Sequence, residues 1–216
     1  MLQVRNLTRR FGDKTAVDSV TFDIPSGQMT GFVGANGAGK TTTMRMIMGV
    51  LSTTSGEILL DGAPLDAEAR SSFGYMPEER GLYPKQPILD QLVYLGQLHR
   101  MSSTDARKGA TELLERFGLG GRTKDKLESL SLGNQQRVQI AASLLHKPSV
   151  LILDEPFSGL DPVAVDSMVE LLRERTSAGV PVLFSSHQLD LVDRLCDNMV
   201  VLQQGKVIAS GTGDDL

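Results

Sequence analysis

The stretch Gly34-Ala35-Asn36-Gly37-Ala38-Gly39-Lys40-Thr41 decides how the chain folds, because it fits G-x-x-x-x-G-K-[ST] and falls between a strand-like run at 29–33 and a helix-like run from Lys40 to about Val50. Glycines let the backbone curl until several N–H groups point at phosphate oxygens, and the start of the following helix adds a positive electrostatic end. Lys40 supplies a full charge for β- and γ-phosphates, and the Thr41 hydroxyl is placed to ligate Mg²⁺. The expected nucleotide contacts in this stretch are therefore Gly34, Asn36, Gly37, Ala38, Gly39, Lys40, Thr41 and Thr42. A glycine-rich turn without a ligand is the competing reading, and the strand-before, helix-after context argues against it.

A second apolar run, Val150-Leu151-Ile152-Leu153, ends in Asp154-Glu155. In a parallel sheet such a strand delivers both carboxylates to the carboxyl edge, where α/β folds bind ligands. Taken alone, acidic residues after a strand are usually solvated turn residues. Beside a phosphate loop their jobs divide: Asp154 would hold Mg²⁺ through its water shell, and Glu155 would polarise the water that attacks a γ-phosphate.

Working outward, β-branched runs at 2–7, 17–24 and 57–60, separated by Gly, Pro, Asp and Ser, read as strands. From about 88 to 147 the pattern changes to helical spacing, with Val138, Ala141, Ala142 and Leu145 on one face. Strand-like runs return at 150–153, 180–184 and 199–202, with a helix between the first two. Asp161 suits that helix's N-cap, Pro162 its first residue, and Val165, Met168, Val169 and Leu172 its buried stripe. Residues 201–210 read as a hairpin around Gln203-Gln204-Gly205-Lys206. The sum is an α/β core interrupted by a helical insertion, with no internal repeat.

The chain has 216 residues and a formal net charge of -4, with no dense run of Lys and Arg, so a nucleic-acid partner is not expected. Its one cysteine, Cys196, has no internal disulfide partner, and Met1-Leu2-Gln3-Val4 is not a leader segment, which points to a cytoplasmic address. No run reaches the roughly 18 apolar residues that cross a bilayer, so membrane association is expected only through a partner.

Leu130-Ser131-Leu132-Gly133-Asn134-Gln135-Gln136-Arg137, upstream of Asp154, resembles the signature segment of the ATP-binding cassette family, whose usual form is L-S-G-G-Q. Leu132 and Asn134 are departures from it. Ser158-Gly159-Leu160-Asp161 resembles the family's D-loop, His187 after Ser185-Ser186 its switch histidine, and Phe11 its adenine-stacking aromatic. The string Pro77-Glu78-Glu79-Arg80-Gly81-Leu82-Tyr83-Pro84 is similar to a branch of bacterial exporter ATPases for sodium or drug efflux.

The resemblance implies a P-loop NTPase core with a mixed sheet, an N-terminal antiparallel β subdomain and an inserted α-helical subdomain. It implies one domain over 1–216, with the core lobe at about 1–85 and 148–216 and the helical subdomain at about 86–147. Implied cofactors are ATP and Mg²⁺; implied partners are a second nucleotide-binding subunit, like or unlike, and a transmembrane permease that brings the chain to the inner face of the membrane. Lys40, Glu155 and His187 would be catalytic, and Thr41, Asp154 and Glu78 would face the metal, Glu78 standing where the family carries Gln. The signature segment of one subunit, with Ser131, Gly133 and Asn134, would cover ATP held by the other, and the D-loop Asp161 would also contact nucleotide. A soluble cassette ATPase outside transport, or an ATP-binding regulatory module with little turnover, are the alternative functions. The family commonly continues past the equivalent of residues 211–216, so the chain would be a trimmed nucleotide-binding domain.

Overall fold

The computed structural model describes residues 1–79 and 81–212; Arg80 of the exporter-like string and residues 213–216 of the tail lie outside the described residues. In chain order the elements are β1 (Leu2–Phe11), β2 (Lys14–Ile24), β3 (Met29–Val33), α1 (Lys40–Ile47), β4 (Ser55–Leu60), β5 (Ala63–Pro64), α2 (Ala67–Arg70) and β6 (Phe73–Met76). They continue with α3 (Ile88–Leu98), α4 (Ser103–Arg116), α5 (Leu132–Leu144), β7 (Val150–Leu153), α6 (Pro162–Ser177), β8 (Val182–Ser186), α7 (Leu189–Leu195), β9 (Asn198–Gln203) and β10 (Lys206–Gly211).

Two sheets result. An antiparallel sheet runs β2-β1-β4-β5, and a mixed sheet runs β10-β9-β3-β8-β7-β6, parallel throughout except for the β10–β9 hairpin. Every residue of β3, β7 and β8 is buried, the pattern of parallel strands covered on both faces. This is the fold class that the sequence predicts.

Register places the site. Val33 pairs with Ser186, Leu153 with Phe184, and Met76 with Leu153, so β3, β8, β7 and β6 end together at one carboxyl edge. From that edge emerge the glycine-rich loop, Asp154-Glu155, His187 and Pro77-Glu78. The helical stretch resolves into α3, α4 and α5, whose Leu92, Ala106, Leu114, Val138, Ala141 and Leu144 are fully buried in one cluster that also includes Leu151 and Leu153 of β7.

Two boundaries fall short of expectation, each for a local reason. The first helix ends at Ile47 because Gly49 turns at φ 71° and the Val50 and Leu51 N–H groups fold back onto the Arg45 carbonyl. The strand expected at 180–184 begins at Val182, since Gly179 adopts φ 91° and the Val180 N–H still closes the preceding helix through the Arg175 carbonyl. Helix α7 has no counterpart in the sequence reading. Asp161 and Pro162 behave as expected: the Asp161 carboxylate accepts from the Ala164 N–H at 2.9 Å and Pro162 is the first helical residue. Gln204 and Gly205, both at positive φ, form the hairpin turn.

Candidate functional site

A cavity of about 740 Å³ opens at the carboxyl edge, lined by Phe11, Asn36, Gly37, Gly39, Lys40, Thr41, Thr42, Glu78, Asp154 and Glu155, with Lys14, Thr15, Ala16 and Gln204 at its margin. Gly39 closes the loop onto α1 at φ 110°, and an added Cβ there would meet the Ala16 carbonyl at 2.9 Å, so only glycine suits both the turn and the approach. Gly34 and Ala38 lie on the loop's other side, against Leu202 and Gln203 of β9.

Lys40 is buried, and its ammonium donates to the Gly34 carbonyl at 2.5 Å while standing 3.9 Å from Glu155 Oε1. The cation thus bends back over the loop it follows, where phosphate oxygens can replace or share its partners. Glu155 has its other carboxylate oxygen 3.1 Å from His187 Nδ1. Burial raises the Glu155 pKa, opposed by His187 and Lys40, and the neighbouring Asp154 raises it further. A carboxylate kept basic this way is suited to accept hydrogen bonds from a water. The Glu155 backbone sits at φ 50°, a region costly for a residue with a Cβ, and it is held there by three contacts. Its N–H donates to Ser185 Oγ at 2.8 Å, and its carbonyl accepts from Gln136 Nε2 at 3.1 Å and from the Ser158 N–H at 3.2 Å.

Asp154 is 1% exposed; its Oδ1 accepts from Ser185 Oγ at 2.5 Å, while Oδ2 is buried with no hydrogen-bond partner. An orphaned buried carboxylate oxygen fits a cation or its water shell. Thr41 Oγ1 lies 3.5 Å from Glu78 Oε2. Among the described residues no group of three or more His, Cys, Asp and Glu is placed to hold a metal ion by itself, and a cation at the oxygens of Thr41, Asp154 and Glu78 would need phosphates and water to complete its shell.

Ser131 is the N-cap of α5, accepting from the Asn134 N–H at 3.3 Å, and Gly133 approaches the Gly159 carbonyl so closely that a Cβ would lie 3.1 Å from it. Asp161 pairs with Arg137 at 3.5 Å. Among the described residues lining the large cavity, none is Ser131, Gly133, Asn134 or Asp161. The segment comes near the site through Leu132 and Gln136, which share a 240 Å³ pocket with Asn36, Glu78, Glu155 and His187.

A family model described as ABC transporter matches residues 17–158. The chain belongs to the ABC transporter family. It is 50% identical over 211 residues to the uncharacterized ABC transporter ATP-binding protein YhaQ of Bacillus subtilis, covering 98% of this chain and 71% of that one. It is 38% identical over 219 residues to the linearmycin resistance ATP-binding protein LnrL of the same organism, covering 100% and 70%. Among solved structures, the dimeric MJ0796 cassette of a bacterial ABC transporter superposes with a TM-score of 0.88 at 25% identity, with 99% of each chain covered. The chain is accordingly an ATP-binding, ATP-hydrolysing subunit, with ATP as substrate and Mg²⁺ as cation.

Sequence reasoning missed three supports of this site: Ser185, which serves both acidic residues; Gln136, which holds the Glu155 carbonyl; and Gln139, whose Nε2 donates to the Pro77 carbonyl at 2.8 Å just before Glu78. The signal was position: Ser185 precedes the histidine, Gln136 stands within the signature segment and Gln139 follows it.

Proposed function

We propose that two copies of this cassette, or this chain and an unlike one, close about two ATP molecules and drive an exporting permease. The observation that carries this reading is the incompleteness of the cavity: it gathers phosphate loop, acidic pair and Phe11 from one chain, while Ser131, Gly133, Asn134 and Asp161 stand outside it. A second chain presenting those four residues completes each site.

Within one site, the N–H groups of the glycine-rich loop and Lys40 bind the phosphates, and Phe11 takes the base on its exposed ring. Mg²⁺ bound at Thr41, Asp154 and Glu78 would neutralise phosphate charge. Glu155 orients the attacking water and draws on its proton, while His187 steadies the Glu155 carboxylate and donates toward the γ-phosphate. Ser131 and the N–H groups that follow it cap the same phosphate from across the interface. The residue roles and the division into a core lobe and a helical lobe belong to this proposal.

LnrL is named for resistance to linearmycin, which supports export as the direction of transport. No helix among the described residues is long and apolar enough to cross a membrane. In this reading the permease brings the chain to the cytoplasmic face.

Complementation tests the composite site. Lys40→Ala and Ser131→Arg chains, each inactive alone, form one intact site when paired, so mixing them restores part of the ATPase rate. No recovery at any ratio would mean that each chain works within itself.

A further inference from the structure

Phe11 ends β1 at the mouth of the cavity, and its ring has two faces. The guanidinium of Arg9 occupies one, with Cζ 4.6 Å from the ring centroid. Its Nη1 donates at 2.9 Å both to the carbonyl and to the hydroxyl of Ser52, and its Nε is buried without a hydrogen-bond partner. The guanidinium is thus held from two sides, by Ser52 at Nη1 and by the phenyl ring beneath Cζ, with Nε left unpaired. Phe11 keeps 46% exposure and lines the cavity, so its opposite face is the available one.

Ser52 lies just beyond α1, the helix that opens at Lys40, and the segment is stitched to β1 by the Thr54 N–H donating to the Thr8 carbonyl and the Arg10 N–H donating to Thr54 Oγ1. The ring is thus braced against the same element that carries the phosphate loop. We propose that Arg9 is a positioning residue for the purine: pinned to Ser52, it holds the Phe11 ring so that base and phosphates are met in one registered site. A cation behind the ring also draws electron density from it, which favours stacking of an electron-rich purine on the front. The inference rests on the reading of Phe11 as the base platform.

The test compares Arg9→Met, Arg9→Lys, Phe11→Leu and the Arg9→Met/Phe11→Leu double variant in the purified chain, by calorimetric affinity for ATP and for tripolyphosphate, which lacks a base, and by KM and kcat. Arg9→Met is expected to weaken ATP binding about three- to tenfold, with a matching rise in KM and an unchanged kcat. Tripolyphosphate affinity stays at the wild-type value, and Arg9→Met has no further effect once Phe11 is gone. Arg9→Lys, which keeps the charge without the flat fork, falls between wild type and Arg9→Met. An equal loss for tripolyphosphate, or the same fold-loss in the Phe11→Leu background, overturns the proposal and makes Arg9 a general brace. If Phe11→Leu binds ATP as wild type does, the platform reading fails and the inference with it; if Phe11→Leu weakens ATP but Arg9→Met does not, the inference alone fails.

Discussion

Replacing Ser185 with alanine removes one oxygen on which both acidic residues depend. Its hydroxyl donates to Asp154 Oδ1 at 2.5 Å and accepts from the Glu155 N–H at 2.8 Å, and the side chain is fully buried. Losing a hydrogen bond to a charged partner costs about 1.5 to 3 kcal/mol, and a buried N–H left unpaired costs about 1 to 3 kcal/mol. Because Asp154 Oδ2 already lacks a partner, the carboxylate would be left with no hydrogen bond from Ser185 on either oxygen. Allowing for partial relaxation, Ser185→Ala should lower the unfolding free energy by about 3 kcal/mol in urea titrations without nucleotide. The same change frees the Glu155 backbone from one of the three contacts that hold it at φ 50°, so kcat should fall by about tenfold or more while the stability loss is offset by saturating ATP. A stability loss below about 0.5 kcal/mol together with an unchanged kcat would refute the view that this hydroxyl organises the acidic pair.

Two other perturbations follow from the structure. Burial and the stacked His99 ring, 3.7 Å away, depress the His146 pKa to about 4, so the folded chain refuses a proton that the unfolded chain takes up below pH 6.5. Its contribution is present above pH 6.5 and is lost as pH falls toward 4; the full shift amounts to about 3 kcal/mol, which partial exposure reduces to about 2 kcal/mol. His146→Phe should therefore lose less stability than wild type between pH 7 and pH 4 in denaturant titrations, and parallel curves would contradict the assignment. Glu78→Gln replaces a carboxylate beside Thr41 by a neutral amide and should weaken Mg²⁺ affinity in the ATP complex several-fold, read by Mn²⁺ competition, while ATP binding without metal is retained. An unchanged metal affinity would place Glu78 outside the cation shell.

What could be read from the sequence, and what could not, divides by the range of the interactions involved. The glycine-rich loop, the apolar run before Asp154-Glu155 and the Asp161-Pro162 helix start are local patterns, and each appears in the structure at its expected place. Local signals also set limits: Val180 looks like strand, yet its N–H is claimed by the preceding helix. Ser185, Gln136, Gln139 and Arg9 could not be found this way. Their partners lie 30, 19, 62 and 43 residues away in sequence, and only the assembled fold brings them together. Helix α7 escaped notice because it is seven residues long with only Val192 and Leu195 buried, too short for a period to declare itself. Phe11 was legible as an aromatic at the right place, whereas the arginine behind it was not.

The most direct test of the account is the Mg²⁺-dependent ATPase rate of the purified chain as a function of its own concentration, measured alongside Lys40→Ala and Glu155→Gln. Sites completed by a second chain predict a specific rate that rises with concentration and reaches a plateau, with both variants silent and Glu155→Gln still binding ATP. A specific rate independent of concentration down to dilutions at which the chain is monomeric, or turnover that survives Glu155→Gln, would contradict it.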